Sequence, residues 1–539
     1  MLKNSRILPW LALGSSLVIV LLVSRTPQAL FSDPSWQLKA LQQYFAGESR
    51  SLGTLVQADP NDLSKSAEEW ISWWPMGTNL LVYPFVRSGM SFAASVRAVA
   101  DLALILGSVG FGYWLTLFEI PSWIAWTLAV AIPWIRYANL GLFTYSAETL
   151  VYAICPWLLF GAFHLGRKWE SEQDVPHVAF SAGLGFLLGF AYWLKYSSIF
   201  ISLSAIAYLA LRAWRIKKER RYVRIDAASL LALFVLTAGG LNILNRSMGA
   251  AMNSVTQHFD FQFDWHLPIH LVGLFAMSMA DADGLWRYVL FHPGRSVMPF
   301  SYATLTLIGL PGGVLLFWLL TRPSKREPVV LSRLLLLLTF AAFVATMTIF
   351  WARALEARYI SAIGIALIPA AVEAGVAMWP KGNRITRAAL LLGALFYIAI
   401  SMAYGAVAVI GKIKRTPAYK SGPSGFYNPL FADTDASSPL QTLEAHFGGQ
   451  DIWYLPDPNT GIDLRGRVIL RQPDFLSEDW IRKETFHTSS PVTVRMLLPP
   501  KFEENGKGKI IRDSFPQAQD WKRREIPGAN YVEWTAELK

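Results

Sequence analysis

The sequence predicts a polytopic α-helical membrane protein of about eleven transmembrane helices, with interfacial helices in its first outer loop and a small C-terminal extramembrane α+β domain. Three observations predict it. Of 539 residues, 53% are hydrophobic and only 16% charged, against roughly 25% charged in soluble domains. The apolar residues gather in runs long enough to cross about 30 Å of hydrocarbon, and irregular backbone cannot face lipid, so the runs are helices. After residue 411 the runs shorten and alternate with proline- and glycine-containing turns.

The first run, 7–23, follows Lys3 and Arg6 and has no small-residue cleavage site after it, which makes it a retained anchor. The others fall near 97–118, 122–138, 149–165, 178–194, 197–213, 226–242, 298–320, 329–350, 359–379 and 388–411. The stretch 266–279 is short for a crossing and reads as re-entrant or interfacial. Loop cations set the orientation. With the N-terminus cytoplasmic, Arg167, Lys168, the 212–224 cluster, Arg322, Lys325, Arg326, Lys381, Arg384 and Arg387 lie inside. The short outward connections then carry only Arg136, Lys195, Arg353 and Arg358. A transmembrane domain of residues 1–411 results, with outward loops at 25–96 and 243–297 and an outward C-terminal domain at 412–539. In that last part, 451–455 and 492–498 read as strands.

The net charge of +11 is accounted for by the inner loops, placed against anionic lipid headgroups. No compact basic module with interleaved aromatics is present, so no nucleic-acid partner is expected. The single Cys155 excludes an intrachain disulfide and a cysteine-built zinc site. In the middle loop, His258, His266 and His270 with Asp260 and Asp264 lack a tight metal-ligand spacing, so no dedicated metal is expected. No glycine-rich nucleotide loop occurs, which argues against direct use of ATP or NAD.

The first outer loop holds Trp36, Trp70, Trp73 and Trp74, and 36–45 has helical periodicity. Such tryptophans suit an aromatic belt; alternatively, Trp73-Trp74-Pro75 forms a rigid apolar turn lining a substrate pocket. Asp33, just after the first span and before Pro34, fits either a helix start or a general base. Glu148, just before the fourth span, fits either the first helical turn or a second acidic group of the same site. Lys195 closes one span, and Arg358-Tyr359 opens another. Snorkelling explains such cations, as does pairing of Arg358 with Glu356; an arginine fork also suits phosphate oxygens.

With these residues the chain resembles the polytopic glycosyltransferases of the C superfold, which use polyprenyl-phosphate-linked sugars and include the protein mannosyltransferases and the bacterial lipid A aminoarabinose transferases. The likeness covers roughly 7–411 and rests on span order, the acidic residues at 33 and 148, the Trp74-Pro75-Met76-Gly77 turn, Lys195-Tyr196-Ser197 and Arg358-Tyr359. Pro34 and Met76 depart from the usual pattern, where a second acidic or aromatic residue and a second proline stand. The resemblance implies an inverting transferase of a bacterial inner membrane, with the C-terminal domain periplasmic or extracellular. Asp33 would be the general base and Glu148 the second acid, while Lys195, Arg358 and Tyr359 would bind the donor phosphate. No cofactor is required, although a divalent cation is compatible with two carboxylates. The acceptor is a hydroxyl of a lipid, glycan or protein. Two other functions fit the same layout: a transporter of a lipid-linked or amphipathic substrate, and a noncatalytic membrane assembly protein.

Overall fold

The computed structural model describes residues 5–30, 32–72, 74–170, 176–216, 221–248, 310–350, 357–379, 409–414, 424–428, 447–471, 483–526 and 529–539, with isolated positions between them. In chain order the elements begin with α1 (Leu8–Val23), β1 (Ala29–Leu30), α2 (Ser32–Phe45), β2 (Thr54–Asp59), β3 (Asp62–Trp70), α3 (Gly77–Arg87) and α4 (Phe92–Leu115). Next come α5 (Ser122–Ala131), α6 (Arg136–Phe143), β4 (Thr144–Tyr145), α7 (Ala147–Glu170), α8 (Val178–Leu194), α9 (Ile199–Arg215) and α10 (Arg221–Ser247). After α11 (Leu310–Leu320), α12 (Glu327–Phe350) and α13 (Ala357–Met378), the tail adds β5 (Asp451–Leu455), β6 (Arg467–Leu470), β7 (Val492–Leu498), α14 (Pro500–Glu504), α15 (Lys507–Asp513), β8 (Ala518–Glu525) and β9 (Val532–Leu538).

These residues form two compact units, a helical one of 1–24, 100–142 and 147–411, and a sheet-containing one of 25–99, 143–146 and 412–539. Among the described residues six helices are long and apolar enough to cross a membrane, and α1 and α8 are shorter apolar helices. The expected span at 122–138 is broken at Ile132–Trp134 into α5 and α6, where Pro133 interrupts the ladder. The segments 266–279 and 388–411 lie for the most part outside the described residues.

In the helical unit α7 packs against α8, α9 and α13. Helices α8 and α10 approach closely because α8 presents glycines. A Cβ at Gly185 would run into the Leu230 carbonyl oxygen, and one at Gly189 would stand 2.6 Å from Thr237 Cβ. Trp193 Nε1 closes the contact by donating to the Thr237 carbonyl at 2.7 Å. Gly185→Val must therefore push the helices apart, with an expected loss of about 2 kcal/mol or more, read as a lowered unfolding temperature of the protein in detergent.

The two ends of the helical unit differ in charge. At one end Arg167 of α7 meets Glu327 of α12 at 3.1 Å, and Arg212 of α9 approaches the same carboxylate at 3.7 Å while pairing with Glu170. This end carries the cation-rich connections. The start of α7 and the end of α8 lie at the other.

The sheet unit has a five-stranded sheet in the order β6-β5-β7-β9-β8. β5 runs parallel to β6 and β7, whereas β9 is antiparallel to β7 and β8. Alternate residues of a strand point to opposite faces, and here both faces are covered. Trp453, Leu455, Val468, Leu470 and Leu497 pack with Ala40, Leu55 and Ile71. Ile452, Tyr454, Ile469, Val494 and Met496 pack with Ala58, Leu63, Phe486 and Phe515. Residues of the 25–96 loop are thus built into the same core as the tail. The helix expected over 36–45 is α2, but a β2–β3 hairpin follows it that the sequence reading did not foresee.

Burial of α2 has a measurable electrostatic consequence. Lys39 lies in that interface, donating to the Leu464 carbonyl at 3.0 Å and to Gln42 Oε1 at 3.1 Å. Burial lowers its ammonium from the usual 10.5 to about 8, against the opposing pull of Glu48 and Asp463. Burial likewise raises the Asp463 carboxyl, offset by hydrogen bonds from Asn428 and Ser424. Between those two lysine values the unfolded chain holds a proton that the folded protein lacks, so stability rises with pH. From pH 8 to 9.5 the wild type should gain about 1.5 kcal/mol relative to Lys39→Met; parallel unfolding curves for the two proteins would contradict this.

Candidate active site

Four sequence-predicted residues meet at one end of the helical unit. Glu148 is in the first turn of α7, where a carboxylate is favoured by the exposed amide groups of the helix start. Lys195 terminates α8 in an extended conformation (φ −160°, ψ 131°), and its amide donates to the Ala191 carbonyl at 3.1 Å. Its carbonyl accepts from Ser198, closing the short 3-10 turn Tyr196–Ser198 that leads into α9. A cation at a helix C-terminus is favourable. Arg358 is the exception, because a cation in the first turn of α13 opposes the helix dipole and needs an anion nearby.

That anion is Glu148. Lys195 Nζ donates to Glu148 Oε1, and Arg358 Nη1 lies 3.8 Å from the same oxygen. Tyr359 holds both cations: its ring centroid is 4.6 Å from Lys195 Nζ and 5.0 Å from Arg358 Cζ, and its hydroxyl accepts from Arg358 Nη2 at 3.2 Å. The side chains of Glu148, Lys195 and Arg358 are only 8%, 14% and 11% exposed. Two cations thus meet at one carboxylate in a largely desolvated place. Elsewhere in the unit, the deeply buried Arg333 of α12 is matched by Glu373 of α13.

Beside Lys195 runs a polar ladder that sequence reasoning missed. Tyr192 donates to Asn242 Oδ1 at 3.3 Å, Asn245 donates to the Tyr196 hydroxyl at 3.3 Å, and the two tyrosine rings lie 5.0 Å apart. Its sequence signal was a pair of asparagines three apart in an otherwise apolar span.

The remaining predicted residues belong to the sheet unit. Asp33 is half-buried in the first turn of α2. Gln37, one turn on, donates to the Trp74 carbonyl, and Asn79 of α3 donates to the carbonyls of Gln37 at 2.8 Å and Leu52 at 2.6 Å. These bonds fix the Trp74-Pro75 turn beside α2, with Pro75 buried and Trp74 half-buried. Trp73 lies outside the described residues, as do His258, Asp260, Asp264, His266 and His270. Among the described residues no three His, Cys, Asp or Glu side chains are grouped to hold a metal ion.

A helical unit with six helices long and apolar enough to cross a membrane, and with a buried, cation-rich cluster at one end, is that of an integral membrane protein. Two solved structures share this fold: ArnT from Cupriavidus metallidurans bound to undecaprenyl phosphate, and the same protein in the apo state. Each has a TM-score of 0.52 and 11% identity, over 98% of this chain and 97% of ArnT. No family model matches the chain, and no curated protein matches it by sequence. At this identity the likeness is one of fold.

Proposed function

We propose that the protein is an inverting glycosyltransferase that moves a sugar from a polyprenyl-phosphate carrier to a hydroxyl acceptor. The observation that carries the proposal is the convergence of two buried cations, Lys195 and Arg358, at Glu148, a basic cluster suited to phosphate oxygens. The bound undecaprenyl phosphate of the similar ArnT structure supports the same ligand chemistry.

In the reaction, the acceptor oxygen attacks the anomeric carbon from the face opposite the phosphate, and its proton passes to the Asp33 carboxylate. The carbon–oxygen bond to phosphate breaks with its electron pair on the phosphate oxygen. Lys195 and Arg358 take up that developing charge, with Tyr359 holding them in place. Trp73, Trp74 and Pro75 would line the apolar pocket for the substrate. The site would face outward from a bacterial inner membrane, with the N-terminus cytoplasmic, the 1–411 part forming the membrane domain and 412–539 the extracytoplasmic one. The acceptor is a lipid, glycan or protein.

The test is reconstitution in vesicles with a polyprenyl-phosphate-linked labelled sugar and an envelope lipid extract as acceptor. Label should move to the acceptor with release of one lipid phosphate per sugar. Movement of lipid or solute across the bilayer without cleavage of the sugar–phosphate bond would instead mark a transporter and overturn the proposal.

A further inference from the structure

We infer that α10 is a brace that positions the Lys195 ammonium for the lipid phosphate, with Asn245 as its positioning residue. The inference rests on the proposed transferase reading and deepens it. Among the described elements α10 packs chiefly on α8. Its outer face, with Leu236 and Ile243, is exposed, whereas Ala238, Leu241 and Asn245 are buried. An asparagine on the buried face of an apolar helix is costly unless it is hydrogen-bonded across the interface. Asn245 donates to the Tyr196 hydroxyl at 3.3 Å, and Asn242 Oδ1 accepts from the Tyr192 hydroxyl at 3.3 Å. These two bonds grip the chain on both sides of Lys195, just under one helical turn before it and at the residue after it.

The grip matters because Lys195 departs from the helix it ends. Its φ of −160° lies about 100° from the helical value, and the Ser198 amide closes the following turn on the Lys195 carbonyl at 3.0 Å. In this conformation Nζ donates to Glu148 Oε1 and lies 4.6 Å from the Tyr359 ring centroid. Relaxation of φ towards the helical value would swing the side chain about the N–Cα bond and carry the ammonium away from both. A lysine has a flexible four-carbon stem, so fixing the backbone at its root is what concentrates the charge at one point. The support is itself firm. Close packing of α8 on α10 at Gly185 and Gly189, with Trp193 Nε1 on the Thr237 carbonyl, holds the asparagines level with the two tyrosines.

The experiment is a double-mutant cycle on the affinity of the detergent-solubilised protein for a short-chain polyprenyl phosphate. Asn245→Leu, close in volume but unable to donate, should weaken binding about threefold to tenfold, the range of an interhelical hydrogen bond in a membrane protein. In a Lys195→Met background the same substitution should change affinity by less than about 1.5-fold, because no ammonium is left to position. A merely structural Asn245 would instead lower affinity equally in both backgrounds, through general loosening of the fold. Tyr196→Phe removes a single oxygen and runs the same cycle should Asn245→Leu fail to fold. Equal losses in the two backgrounds, or an unchanged affinity in the presence of Lys195, overturn the inference while leaving the site reading intact. If Lys195→Met binds the lipid phosphate as tightly as the wild type, or the wild type does not bind it, the transferase site fails and this inference falls with it.

Discussion

Asp33→Asn should lower sugar transfer about a thousandfold while leaving lipid-phosphate affinity within about threefold of the wild type. The substitution is nearly isosteric and removes both the negative charge and the capacity to accept a proton. A purely structural Asp33, acting as an acidic residue at the start of α2, would contribute about 0.3–1 kcal/mol through the helix dipole. Such a loss would lower the unfolding temperature by a few degrees without disabling the folded protein. The two roles are separated by measuring turnover and lipid binding on the same monodisperse sample. Retention of near-normal turnover by Asp33→Asn would remove it as the base.

Arg358→Ala should weaken binding of the lipid phosphate by about tenfold to a hundredfold, the range expected for a charge-assisted hydrogen bond of about 1.5–3 kcal/mol. The cluster explains why the effect is large and why the fold should survive. Removing Arg358 leaves one of the two cations, so the attraction for an anion falls. Glu148 nevertheless keeps its partner Lys195. Arg358→Lys retains the charge but not the planar fork and should fall between the two. A role confined to anchoring the protein at the interface predicts no change in lipid-phosphate affinity for either variant. Fluorescence-detected titration with a short-chain polyprenyl phosphate reads the difference.

The residues of the Glu148–Lys195–Arg358 cluster were legible because they violate sequence rules with physical content. In the orientation expected from the loop cations, Arg358 opposes both their inside preference and the helix dipole, and Lys195 sits in an otherwise cation-poor turn. The structure resolves both oddities by bringing them to Glu148. Strands β5 and β7 were equally readable, since each is a short apolar run bounded by turn residues. Other features were harder to read locally. That Leu55, Ala58 and Leu63 share a core with β5 and β7 depends on contacts some four hundred residues apart. The β2–β3 hairpin was hidden because β3 is largely polar, its Asp62–Trp70 stretch carrying Lys65, Glu68 and Glu69. The break between α5 and α6 was masked by continuous hydrophobicity, although Pro133 marked its place.

The most direct test of the central claim is a map of the protein with a polyprenyl-phosphate-linked sugar bound. The phosphate should lie within hydrogen-bond distance of Lys195 Nζ and the Arg358 guanidinium. A phosphate held elsewhere, with the Glu148–Lys195–Arg358 cluster closed on itself, would contradict the account.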